Sequence, residues 1–193
     1  MAVDKAAPMG SAPMKYRDDG AVDWGDMWDT FCALAQEGGP PHRNSVLRAP
    51  EDADPESAAY RFAVAEITRG IEAVSGLRAE PAIVGWLAVR CGSASMARWL
   101  SEAIAEERVE ARCEGALLLV PVGEWTEVKG EIKNVITVVA KTTHYWREHL
   151  PAEVKQALAA QERIEQLKAR VAGWAGWLRR GRERTQLGPA AGD

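Results

Sequence analysis

Apolar residues recur along this chain at helical and strand spacings. Tyr60, Val64, Ile67, Ile71 and Val74 fall at steps of 4, 3, 4 and 3, one continuous stripe that predicts a helix over 55–75. Asp54 followed by Pro55 fits an N-cap with proline at the first helical position, and Gly76 fits the stop. Met96, Leu100 and Ile104 form the inner edge of a second helix, capped by Ser93 and running to about Glu106. Ile132, Val135, Ile136, Val139 and Trp146 predict a long helix over 131–150, which Pro151 stops or kinks. Near the amino terminus, Trp24, Met27, Trp28, Phe31, Cys32 and Leu34 predict a short helix over 23–37, ending at Gly38-Gly39. Beyond Pro151 the seam Ala157, Ala160, Ile164, Leu167, Val171, Trp174 and Leu178 alternates steps of 3 and 4. That is a heptad seam on a helix over 152–180.

Strand patterns occupy the middle. Residues 82–91 are apolar, with Val84, Trp86 and Ala88 on one face and Ile83, Leu87 and Val89 on the other. Two apolar faces predict a central strand. Residues 108–114 alternate through Val109, Ala111 and Cys113, Gly115 turns the chain, and residues 116–122 are apolar again, which predicts a hairpin. A further short strand is expected over 44–49. The predicted fold class is α+β (α/β-like): a small mixed three- to four-stranded sheet covered by helices, with a long C-terminal helical arm. The order over 44–122, β-α-β-α-β-β, resembles in topology the carboxy-terminal domain of a bacterial initiation factor and the archaeal chromatin protein Alba. The resemblance shares no motif, and fold alone does not carry function. The expected organisation is a disordered tail over 1–22, a core domain over 23–150, an amphipathic helical arm over 151–182 and a disordered tail over 183–193.

Composition narrows the classes. The chain has 193 residues, 47% hydrophobic and 27% charged, enough to bury a core without staples. No apolar run approaches the roughly 18 residues of a membrane span. Three cysteines without a Cys-x-x-Cys argue against a disulfide framework or zinc ribbon and favour core thiols in a reducing cytoplasm. The amino terminus lacks the apolar stretch of a secretory signal, so a cytoplasmic location is expected. Residues 1–150 carry 16 basic and 23 acidic side chains, net −7, while 151–193 carry 8 and 5, net +3. A body at −7 disfavours nucleic acid.

Two segments offer chemistry. Gly38-Gly39-Pro40-Pro41-His42-Arg43 presents a titratable ring and a guanidinium on a stiff loop. The plainer alternative is a helix stop and turn. On the helix over 131–150, the side opposite the apolar stripe carries Asn134, Thr137, Lys141 and His144, with Tyr145 beside them. Between Asn134 and Tyr145 the only formal charge is Lys141, so this helix is expected to meet protein or ligand on both sides. Together the segments would form an anion pocket, with His42 and His144 as acid/base groups and Arg43, Lys141, Asn134, Thr137 and Tyr145 binding a carboxylate or phosphate. The alternative is a packed helix with satisfied polar groups. No metal ligand set is expected: His144 and His149 are five apart, not the four of a helical pair. No Gly-x-Ser-x-Gly, Gly-x-Gly-x-x-Gly or Walker motif occurs, which excludes nucleotide binding by those routes and leaves the cofactor unknown. The leading functional reading is an accessory or interaction protein that docks a partner, or a second copy, through residues 157–178. The second is an enzyme or binder of an anionic small molecule, and the third, RNA or DNA binding, rests on the topology and the carboxy-terminal arginines.

Overall fold

The computed structural model describes residues 14–27 and 45–186, without the side chains of 171 and 173–186. The chain divides into two compact units at the Leu150–Pro151 junction. The first is an α+β domain. Helix α1 (Ala58–Ser75) is followed by strands β1 (Ala79–Pro81) and β2 (Trp86–Arg90). Helix α2 (Ala94–Glu106), strands β3 (Arg112–Glu114) and β4 (Leu117–Pro121), and helix α3 (Lys133–His144) complete it. The second unit contains helix α4 (Ala152–Gln186).

The sheet has the order β1-β2-β4-β3 with every neighbour antiparallel. Leu87, Val89, Leu118 and Val120 share one face and are all fully buried. On the other face Trp86, Ala88 and Leu119 make a small second core, closed by Ala49. The Arg112 guanidinium lies 4.3 Å from the Trp86 ring centre, a cation–π contact that covers the indole. The expected strand over 44–49 is reduced to one parallel bridge, Leu47 to Val109. Leu47 donates to the Arg108 carbonyl and accepts from Glu110, both at 2.8 Å, and Glu110 Oε2 accepts from the Ala49 amide. The sheet is therefore antiparallel rather than mixed, with this bridge as its parallel remnant.

One predicted strand is shortened. Residues 82–85 are a reversal between β1 and β2, so Ile83 and Val84, expected to be buried, are exposed at 64% and 48%. Gly85 sits at φ +85°, and a Cβ there would lie 2.7 Å from the Pro50 carbonyl oxygen. Only glycine fits both demands. Its amide donates to the buried Tyr60 hydroxyl at 3.1 Å, which ties the reversal to α1.

The helix ends follow local chemistry. Ser93 caps α2 by accepting from the Met96 amide, as expected. At its other end Arg108 takes φ +61° while Val109 and Arg108 donate back to Ile104 and Ala105, a Schellman closure with arginine where glycine is usual. α1 is capped by Ser57, not Asp54. Asp54 instead accepts from the Glu56 amide in a turn before the helix. Gly76 closes α1 at φ +64°.

α3 packs against both α1 and α2. Gly70 permits the closest approach, since a Cβ there would stand 2.3 Å from Ile136 Cδ1. Val135, Ile136, Thr137, Val138, Val139 and Ala140 are all buried, the pattern of a helix enclosed on more than one side. Before Ile132 the chain kinks at Gly130, and after His144 it widens into a turn over Tyr145–His149. Within the stretch expected to be a disordered tail, Tyr16 and Val22 form an antiparallel bridge and Val22 is buried. Trp24 is 1% exposed and donates to Glu66 Oε1, while Arg69 bonds the Val22 carbonyl and pairs with Glu66. The predicted helix over 23–37 is helical over 24–27, and its remainder lies outside the described residues.

Candidate functional site

His42, Arg43 and the Gly-Pro-Pro loop lie outside the described residues. The other candidates all belong to α3 and the turn that continues it. Thr137 is 1% exposed, and its hydroxyl has no hydrogen-bond partner, as is also true of Thr68 and Thr143. Asn134 is half-buried. Lys141 pairs with Glu107 at the end of α2, with both side chains largely shielded. Its charge is therefore neutralised inside the domain and binds the two helices together, rather than standing open to an anion.

At the end of α3 the side chains converge. Trp99 of α2 stacks on Tyr145, with centroids 6.1 Å apart and planes 11° apart, and meets Trp146 at 5.6 Å. Tyr145 is 52% exposed and its ring lies 5.4 Å from that of His149. His149 in turn meets His144, Nε2 to Nε2 at 3.1 Å and centroid to centroid at 5.0 Å. Burial and the neighbouring His149 hold the His144 ring below the usual imidazole range, and Glu148 opposes them. That shift favours the neutral ring at neutral pH.

Thus His144 and Tyr145 are brought into one cluster, Lys141 is directed to Glu107, and Thr137 is enclosed. Trp99, Glu107 and His149 complete the arrangement, and sequence reasoning assigned none of them a role. Trp99 lies beside the stripe Met96, Leu100, Ile104, where an apolar residue reads as core margin. His149 stands five residues from His144, the wrong spacing for a pair on a regular α-helix. Among the described residues, no group of three or more His, Cys, Asp or Glu side chains is placed to hold a metal ion.

The second candidate surface is α4. Along it Ile164 and Leu167 are exposed at 53% and 61%. Seam positions Ala157 and Ala160 are exposed as well. Val171, Trp174 and Leu178 carry the seam onward in sequence, but their side chains lie outside the described residues. The positions flanking the seam are Gln156, Gln161, Arg163, Lys168 and Arg170. The acids Glu162 and Glu165 lie on the outer side, bonded to Gln166 and Gln161 at 3.2 Å. No helix among the described residues is long and apolar enough to cross a membrane.

Comparison with known protein families, with characterised proteins and with solved structures finds no match for this chain.

Proposed function

We propose that the protein is an adaptor whose α4 helix binds an amphipathic helix of a partner, one with an apolar seam flanked by acidic residues. The observation that carries this reading is the pairing of exposed Ile164 and Leu167 with a flank whose only charges, Arg163, Lys168 and Arg170, are basic. Flanking charges choose the partner of a heptad helix. In a parallel pair of copies, Arg163 of one would face Lys168 of the other. In an antiparallel pair like positions meet, again basic on basic. Either arrangement opposes self-pairing, whereas glutamates in the same positions would be attracted. The anion-binding reading is the weaker one, because Lys141 is committed to Glu107.

The test uses two designed peptides of about four heptads with the same Ile/Leu seam, one flanked by glutamate and the other by lysine. Each is labelled and titrated with the full chain by fluorescence anisotropy. The acidic peptide is expected to bind, more weakly as salt rises. The basic peptide is expected not to bind, and the double change Ile164→Asp, Leu167→Asp should abolish the signal. Equal binding of the two peptides, or no binding of either, overturns the reading.

A further inference from the structure

The turn that ends α3 changes what a five-residue spacing means. In a regular α-helix, five residues advance about 500°, leaving two side chains about 140° apart. Over Tyr145–His149 the chain is wider than an α-helix, and the Leu150 amide donates to the Tyr145 carbonyl, five residues back, at 2.9 Å. Each such turn takes in one residue more than an α-turn, so i and i+5 occupy the places that i and i+4 hold elsewhere. His144 and His149 thereby reach the same side, which is how their Nε2 atoms come to be 3.1 Å apart.

From this geometry we propose that His144 and His149 form a two-histidine chelate for a borderline divalent transition metal ion of the Zn2+, Ni2+ or Cu2+ class. Two imidazoles bound through Nε2 to one ion at about 2.05 Å, with nitrogens 3.1 Å apart, would subtend roughly 98° at the metal. Their ring centres would then lie about 4.9 Å apart. The observed centroid separation is 5.0 Å. The same two nitrogens lie within hydrogen-bond distance of each other, which keeps both Nε2 atoms turned toward one another. Both ligands are nitrogen, which suits these ions better than Mg2+ or Ca2+. Among the described residues these two side chains are the protein ligands, and water or an anionic ligand would fill the other positions. Tyr145, against His149, and Trp99 behind it form one wall of the site. Binding here does not depend on α4 having a partner.

The experiment is calorimetric titration of the full chain with Ni2+, paired with Cu2+ electron paramagnetic resonance. One ion per chain is expected, with a dissociation constant in the micromolar range. His149→Ala and His149→Gln change an exposed side chain and should each weaken binding at least tenfold, as should His144→Ala. The Cu2+ spectrum should show hyperfine splitting from two nitrogens in the unaltered chain and from one in His149→Ala. Absence of binding, or indifference to the His149 changes, would each overturn the proposal.

Discussion

The Tyr60 hydroxyl ties α1 to the reversal before β2. It sits buried on α1 and accepts the amide of Gly85, whose backbone no other residue could adopt so close to the Pro50 carbonyl. Tyr60→Phe removes the acceptor and strands a buried N–H, so a loss of about 1–2 kcal/mol is expected in urea unfolding. Unchanged stability would mean that water replaces the hydroxyl. Cys91 offers a second test at this scale. Burial pushes its thiol up from 9.0 to about 11, with the Leu118 backbone opposing and Cys113 adding to the rise. Thiolate is the reactive form, so at pH 8 alkylation of Cys91 in the folded chain should run about 100-fold slower than in the unfolded chain. The sign for stability follows. The folded state keeps a proton that the unfolded state releases, so this contribution is whole below pH 9.0 and is lost as pH rises toward about 11. Cys91→Ala should shrink that alkaline loss, and urea midpoints at pH 8 and pH 10.5 would measure it.

At the scale of elements, the α1–α3 contact is set by Gly70. Alanine there would gain about 1 kcal/mol in helix propensity. Its Cβ would meet Ile136 Cδ1 at 2.3 Å and Cγ1 at 2.8 Å. The overlap outweighs the propensity, and Gly70→Ala is expected to destabilise by about 1–3 kcal/mol. Ile136→Val removes Cδ1, so the penalty should be smaller in that background, and a double-mutant cycle would show the coupling. The same elements show what can be read from sequence. The stripe Met96, Leu100, Ile104 with Ser93 before it specified α2 and its cap, because one periodicity and one side-chain oxygen suffice. The start of α1 was misplaced by one turn because Asp54 and Ser57 are both good caps, and only packing chooses between them. The strand over 82–91 was drawn too long because an apolar run conceals a reversal. The isolated Gly85 was the available sign. The widening after His144 has no sequence signature, so the approach of His149 to His144 could not be foreseen.

For the whole molecule, the predicted class of a small sheet covered by helices matches the structure, since alternating runs of 3.6 and 2.0 periodicity leave few ways to bury their apolar faces. The low charge between Asn134 and Tyr145 announced an enclosed α3, and the chain does bury it. The candidate site was less legible. In sequence Lys141 has no neighbour that marks it as paired, because its partner Glu107 lies 34 residues away and pairing over that span depends on the tertiary fold. The seam on α4 was legible as a pattern. On the proposed reading, the sign of its flanking charges favours a foreign partner over a second copy. Light scattering of the full chain across a concentration series, at low salt and alone or with the glutamate-flanked peptide, tests that preference most directly. The chain alone should keep the mass of one copy, 21.0 kDa, and shift to a one-to-one complex when the peptide is added. A dimer that grows with concentration and vanishes in the Ile164→Asp, Leu167→Asp variant would contradict it.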